Sequence, residues 1–67
     1  SAFAAPLFVA QGLDDALVVP SATAQFVATE RAHGMDVEFH EIRGADHGTI
    51  AYAALPALLA FLDAHRV

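Results

Sequence analysis

The run Leu7-Phe8-Val9-Ala10 limits what this chain can fold into more than any other segment. Every position in it is apolar, so both of its faces need cover. Pro6 precedes it and Gln11-Gly12 follows it. A short, continuously apolar run between such residues fits a strand buried inside a parallel sheet. A short buried helix is the competing reading, but Pro6 and Gly12 leave too little room for one. Such a strand cannot stand alone, so other elements must lie beside it and over both faces.

The residues that follow supply some of them. Gly12 to Ala16 reads as a loop, and Leu17-Val18-Val19 leads to Pro20. A first helix is expected from Pro20 or Ser21 to His33, because proline suits the first helical turn. Ala22, Phe26 and Val27 are expected to share its apolar face. Gly34 is placed to end it as a residue that tolerates positive φ. Val37 to Ile42 alternates, with Val37 and Phe39 on one face and Glu38 and His40 on the other. That pattern predicts a strand near a sheet edge with one exposed face. Gly44 to Gly48 reads as a loop. A last helix, rich in alanine and leucine, is expected to run to about His65, with Ala54, Leu58, Phe61 and Leu62 as its core stripe. Pro56 either starts this helix or kinks a longer one.

The predicted order is therefore β-α-β-α, an α/β unit with two parallel strands. A crossover helix between two strands makes them parallel and the connection right-handed. The first strand is apolar on both faces, as a central strand is, yet it has one neighbour in this sequence. Further strands are expected to belong beside it. Composition points the same way. Of the 67 residues, 57% are hydrophobic and 16% are charged, too few polar residues for a free-standing domain of this size. A chain this short buries only about 60% of its unfolded surface and is marginally stable. The apolar excess implies cover from the rest of a larger domain or from a partner.

Charge and residue types exclude several roles. The net charge is -5 with no Lys/Arg cluster, which argues against nucleic-acid binding. Cysteine is absent, so no disulfide or thiolate chemistry is available. The longest uncharged stretch, Gly48 to Leu62, is shorter than the roughly 20 residues that span a bilayer. No basic segment precedes an apolar one in the manner of a signal peptide. The four histidines and the carboxylates match none of the common zinc spacings, so neither a metal nor another cofactor is expected.

In open α/β sheets, functional residues lie in loops beyond the carboxyl ends of the strands. Two such loops exist here. One holds Asp14 and Asp15, and the other holds Asp46 and His47. Both belong at the same edge of a parallel sheet, one strand apart, where a carboxylate can reach an imidazole. A carboxylate on one ring nitrogen fixes the tautomer and leaves the other nitrogen to take a proton from a serine hydroxyl. Each residue also has a plainer role open to it. Asp15 could be a turn or cap residue, His47 a surface histidine, Asp46 a turn residue. His33 and His65 fall at helix C-termini, where a positive charge is favoured, and His40 falls on an exposed strand face.

The segment Pro6 to Pro20, with Gly12, Asp15 and Val18 on a Gly-x-x-Asp-x-x-Val pattern, resembles the acid-bearing segment of α/β-hydrolases. Gly44-Ala45-Asp46-His47-Gly48 is similar to that family's histidine loop. The last helix with Phe61-Leu62 resembles its closing helix. The likeness covers nearly the whole chain but only the last quarter or so of a typical member. It implies Asp15 and His47 as catalytic residues, in the family's order of serine, acid, histidine. The Gly-x-x-Asp spacing favours Asp15 over Asp14. The resemblance implies a serine esterase or lipase acting on a small ester or lipid, with secretion a possibility of that group. Prolyl-oligopeptidase-like and carboxylesterase relatives share the pattern, so ester and peptide substrates both stay open. The departures are large. The only serines are Ser1 and Ser21, neither in a Gly-x-Ser-x-Gly turn, and no oxyanion-hole motif is present. The expectation is a C-terminal piece of a hydrolase domain, inactive alone, that associates with the rest of that domain or with itself through an exposed strand edge. The alternative is a non-catalytic oligomerising or interaction module.

Overall fold

The computed structural model describes residues 5–66. Strand β1 (Leu7–Gly12), helix α1 (Pro20–Ala32), strand β2 (Val37–Ile42) and helix α2 (Ile50–Ala64) follow one another along the chain. The strands pair in parallel, from Leu7 opposite Val37 to Gly12 opposite Ile42. The β-α-β-α order expected from the apolar runs is the order found. β1 extends two residues past its apolar run, because Gln11 and Gly12 keep pairing with Glu41 and Ile42.

Alternation along β1 separates the two helical layers. Gln11 hydrogen-bonds Thr23 of α1, whereas Phe8 packs on Phe61 of α2 with ring centroids 5.3 Å apart. Residues three apart on a strand point to opposite faces. The helices therefore cover opposite faces of the sheet, and they do not touch each other.

The buried side of α1 centres on Val27, only 1% exposed. Phe26 is 49% exposed, and Ala22 is exposed as well, so neither joins the core as expected. The face that α1 presents to the sheet runs through Thr23, Ala24 and Val27. Polar contacts set that rotation: Thr23 bonds Gln11, and Arg31 Nη2 donates to the Val37 carbonyl at 2.9 Å. The helix ends as Gly34 predicts. Gly34 takes φ 88°, its amide reaches the Arg31 carbonyl, and the Met35 amide reaches the Glu30 carbonyl. This paired closure needs a left-handed residue, which glycine adopts without a Cβ clash.

Helix α2 buries Ala54 and Phe61, with Leu58 half-buried between them. Leu62 is exposed, a correction to the expected stripe, because the helix meets the sheet along the 54–58–61 line. Pro56 neither starts nor interrupts α2, which runs through it from Ile50. The bond that Pro56 cannot donate would go to the Tyr52 carbonyl. Tyr52 is 80% exposed, so the turn that lacks this bond lies on the outer side of the helix. His40 is half-buried rather than exposed. Its ring lies 5.3 Å from that of Phe8, and its Nε2 is 2.8 Å from Glu38 Oε2. His33 and His65 do sit at the C-terminal caps of α1 and α2, and His65 also packs on Phe61.

Two kinds of surface remain open. Leu7 and Leu13 direct their amides at the Asp36 and Ile42 carbonyls, so the intervening residues Phe8 and Ala10 aim theirs at the outer edge of β1. Leu17, Phe26, Tyr52, Leu59 and Leu62 are large apolar side chains left exposed. No helix among the described residues is long and apolar enough to cross a membrane.

Candidate functional site

The parallel sheet delivers both polar loops to one end. β1 runs into the acid loop, residues 13–19. The Asp15 amide turns back to the Gly12 carbonyl at 3.2 Å. Asp15 Oδ1 accepts the amides of Leu17 and Val18, each at 2.8 Å. One carboxylate oxygen is thus committed to the loop itself, which fixes the side chain and aims Oδ2 outward. The side chain is nearly sealed from solvent, at 5% exposure. The Val18 amide above all holds this carboxyl below its ordinary value of 3.8; the Leu17 amide and His47 add to the effect, and burial opposes it.

β2 runs into the histidine loop, residues 43–49. Asp46 organises it as a turn residue. Its Oδ1 accepts the Gly48 and Thr49 amides, each at 2.9 Å, and the Thr49 hydroxyl at 3.1 Å. The Thr49 hydroxyl accepts the Asp46 amide in return at 3.0 Å, and the Ile50 amide reaches the Asp46 carbonyl as α2 begins. The Thr49 hydroxyl and amide, with the Gly48 amide, hold the Asp46 carboxyl below 3.8 against a smaller desolvation effect.

Between these anchors His47 projects toward the acid loop. Its Nδ1 lies 3.1 Å from Asp15 Oδ2. The two side chains named from the sequence therefore meet across 32 residues of chain. A carboxylate can only accept, so Nδ1 carries a proton, and in the neutral tautomer this selects Nε2 presents the lone pair. The imidazole is 55% exposed, and among the described residues nothing hydrogen-bonds Nε2. Asp14 is exposed and contributes its backbone instead, donating to the Ala45 carbonyl at 3.0 Å.

Gly12 makes this meeting possible. A Cβ there would fall 2.7 Å from the Ala45 carbonyl carbon, closer still to its oxygen, and 3.2 Å from the Asp46 amide. Those atoms are backbone and cannot swing aside. The loops touch because the residue between them has no side chain.

The sequence reading passed over Gln11. It is buried, yet every polar atom of its amide is engaged. Nε2 donates to the Gly12 carbonyl at 2.9 Å and the Val18 carbonyl at 2.8 Å, and Oε1 accepts the Thr23 hydroxyl. The available signal was a polar residue closing an otherwise apolar strand.

No serine stands beside the pair among the described residues. Ser21 is in the first turn of α1 with its side chain exposed, and Ser1 lies outside the described residues. The described residues enclose no pocket, and no group of three or more His, Asp or Glu among them is placed to hold a metal ion. The arrangement can orient an imidazole, keep one tautomer, and stabilise that ring when it is protonated. No protein-family model, curated protein or solved structure matches the chain.

Proposed function

We propose that this chain is the acid and histidine segment of an α/β-hydrolase-type serine esterase or lipase. In this reading, a serine from sequence outside the chain approaches His47 Nε2. The imidazole takes the hydroxyl proton as Oγ attacks an ester carbonyl. Asp15 stabilises the imidazolium, which then protonates the departing alkoxide, so an alcohol leaves and an acyl-serine remains. Water repeats the sequence, giving up a proton to Nε2 and releasing the acid and the serine. The observation that carries the reading is the 3.1 Å approach of His47 Nδ1 to Asp15 Oδ2. The other carboxylate oxygen is tied down, and Nε2 faces open space.

The exposed apolar side chains and the open edge of β1 favour cover by further protein. That observation also suits a non-catalytic interaction module, so the two readings part on chemistry.

The test begins with the coding sequence upstream of Ser1, where a Gly-x-Ser-x-Gly turn after a strand is expected. The translated protein should turn over a nitrophenyl ester. Asp15→Asn should lower kcat by about 10⁴-fold, and His47→Ala by on the order of 10⁶-fold. The chain by itself should show no turnover. A translated protein without serine-dependent hydrolysis, or one indifferent to both substitutions, sinks the enzyme reading and leaves the module.

A further inference from the structure

Gln11 is the most conspicuous group that the proposed chemistry does not use. A primary amide sealed inside a small protein is costly unless its donors and acceptor are paired. Here all of them are, and the partners share a purpose. The carbonyls of Gly12 and Val18 are the two ends of the segment that carries Asp15. One amide nitrogen pins both, so the loop is closed across its base by a side chain rather than by a ladder of backbone bonds. The amide oxygen is held in turn by the Thr23 hydroxyl, which anchors the clamp to α1. The orientation is not arbitrary. Two carbonyls require the nitrogen on their side, which leaves the oxygen for the hydroxyl.

The Val18 link matters most. The Val18 amide donates to Asp15 Oδ1, while the Val18 carbonyl accepts from Gln11. A residue that holds the carboxylate is thus held on its other side by Gln11. We infer that Gln11 is the positioning residue of the pair: it clamps the acid loop so that Asp15 Oδ2 faces His47. The inference rests on the hydrolase reading for its catalytic meaning, but not for its geometry. Groups that orient a ligand-holding or catalytic side chain through one intermediate bond are a general device for fixing tautomer and aim.

The experiment uses the whole translated protein with isotope-labelled histidine and reads the His47 tautomer by NMR. In the unsubstituted protein the Nδ1-protonated form should dominate. Gln11→Met keeps the length and removes both donors. It should abolish the single-tautomer signature of His47, while strand amides stay protected from exchange. Thr23→Val frees the clamp without emptying the buried site, and should weaken the same signature. Val27→Ala, a core change of ordinary destabilising effect on the same side of the sheet, should leave the signature intact. An unchanged His47 spectrum in folded Gln11→Met overturns the inference. Should Gln11→Met fail to fold, an unchanged spectrum in Thr23→Val overturns it instead. Equal loss in Val27→Ala also overturns it, because the effect would then follow stability alone. The hydrolase reading stands or falls separately, on serine-dependent turnover.

Discussion

The acid loop and the histidine loop lie side by side at one end of the sheet, yet they are secured in different ways. Residues 13–19 are bound into the body of the protein. Asp15 is buried, its loop is closed by Gln11, and Gln11 is tied to α1 through Thr23. Residues 43–49 are held mostly by themselves. Asp46, Gly48 and Thr49 bond one another within four residues, and His47 stands half in solvent. The difference matches the work proposed for each side chain. An acid that orients and stabilises needs a rigid, dry seat. A histidine that exchanges a proton with two different oxygens needs some freedom. The loops communicate at one backbone seam, where Gly12 lies against Ala45 and the Asp14 amide meets the Ala45 carbonyl.

Breaking the seam should have the largest effect on the fold. Gly12→Ala forces a methyl group into backbone atoms that cannot rotate away. Overpacking of this kind costs about 1–3 kcal/mol, occasionally more, a large share of what a small domain holds in reserve. Denaturant midpoints and the His47 NMR signal should both move. A midpoint unchanged within error would mean that the loops can part without loss.

Acid should separate the two carboxylates. Asp15 and Asp46 are both held below 3.8 in the folded protein. Each therefore contributes stability that is present above the unfolded value and lost as the pH falls through the folded one. Stability should begin to decline as the pH approaches 3.8 and keep falling below it, until both folded carboxyls are protonated. Asp15→Asn and Asp46→Asn should each flatten that decline. Only Asp15→Asn should also change the His47 tautomer, because Asp46 makes no bond to the ring. Amide exchange of β1 and β2 across that pH range, with histidine spectra alongside, measures both. Matching histidine changes in the two variants would dissolve the contrast between the loops.

The smallest effect is expected at Thr49. Its hydroxyl bonds only Asp46, in an exposed turn. Thr49→Ala should cost about 0.5–1.5 kcal/mol and leave the acid loop untouched. A loss as large as that of Gly12→Ala would show that the histidine loop is not self-contained.

How much could be read in advance differed by element. Leu7 to Ala10 announced β1, Gly34 announced the end of α1, and the alternation from Val37 to Ile42 announced β2, because each signal is local. Asp15 and His47 could be named because parallel strands bring their following loops to one end whatever the side chains do. The helix faces were misjudged where local apolar character competed with distant polar contacts. Phe26 and Leu62 looked like core. The bonds of Thr23 to Gln11 and of Arg31 to Val37 turned α1 another way, and α2 met the sheet along Ala54, Leu58 and Phe61.

The order of elements, their parallel pairing and the meeting of the two loops that carry Asp15 and His47 were written in the sequence, since spacing and turn residues act over a few positions. Only the tertiary structure decided which carboxylate oxygen faces His47, why Gly12 must lack a side chain, and that Gln11 closes the acid loop. Those depend on atoms brought together from segments far apart in the chain, and no pattern of neighbouring residues encodes such a distance.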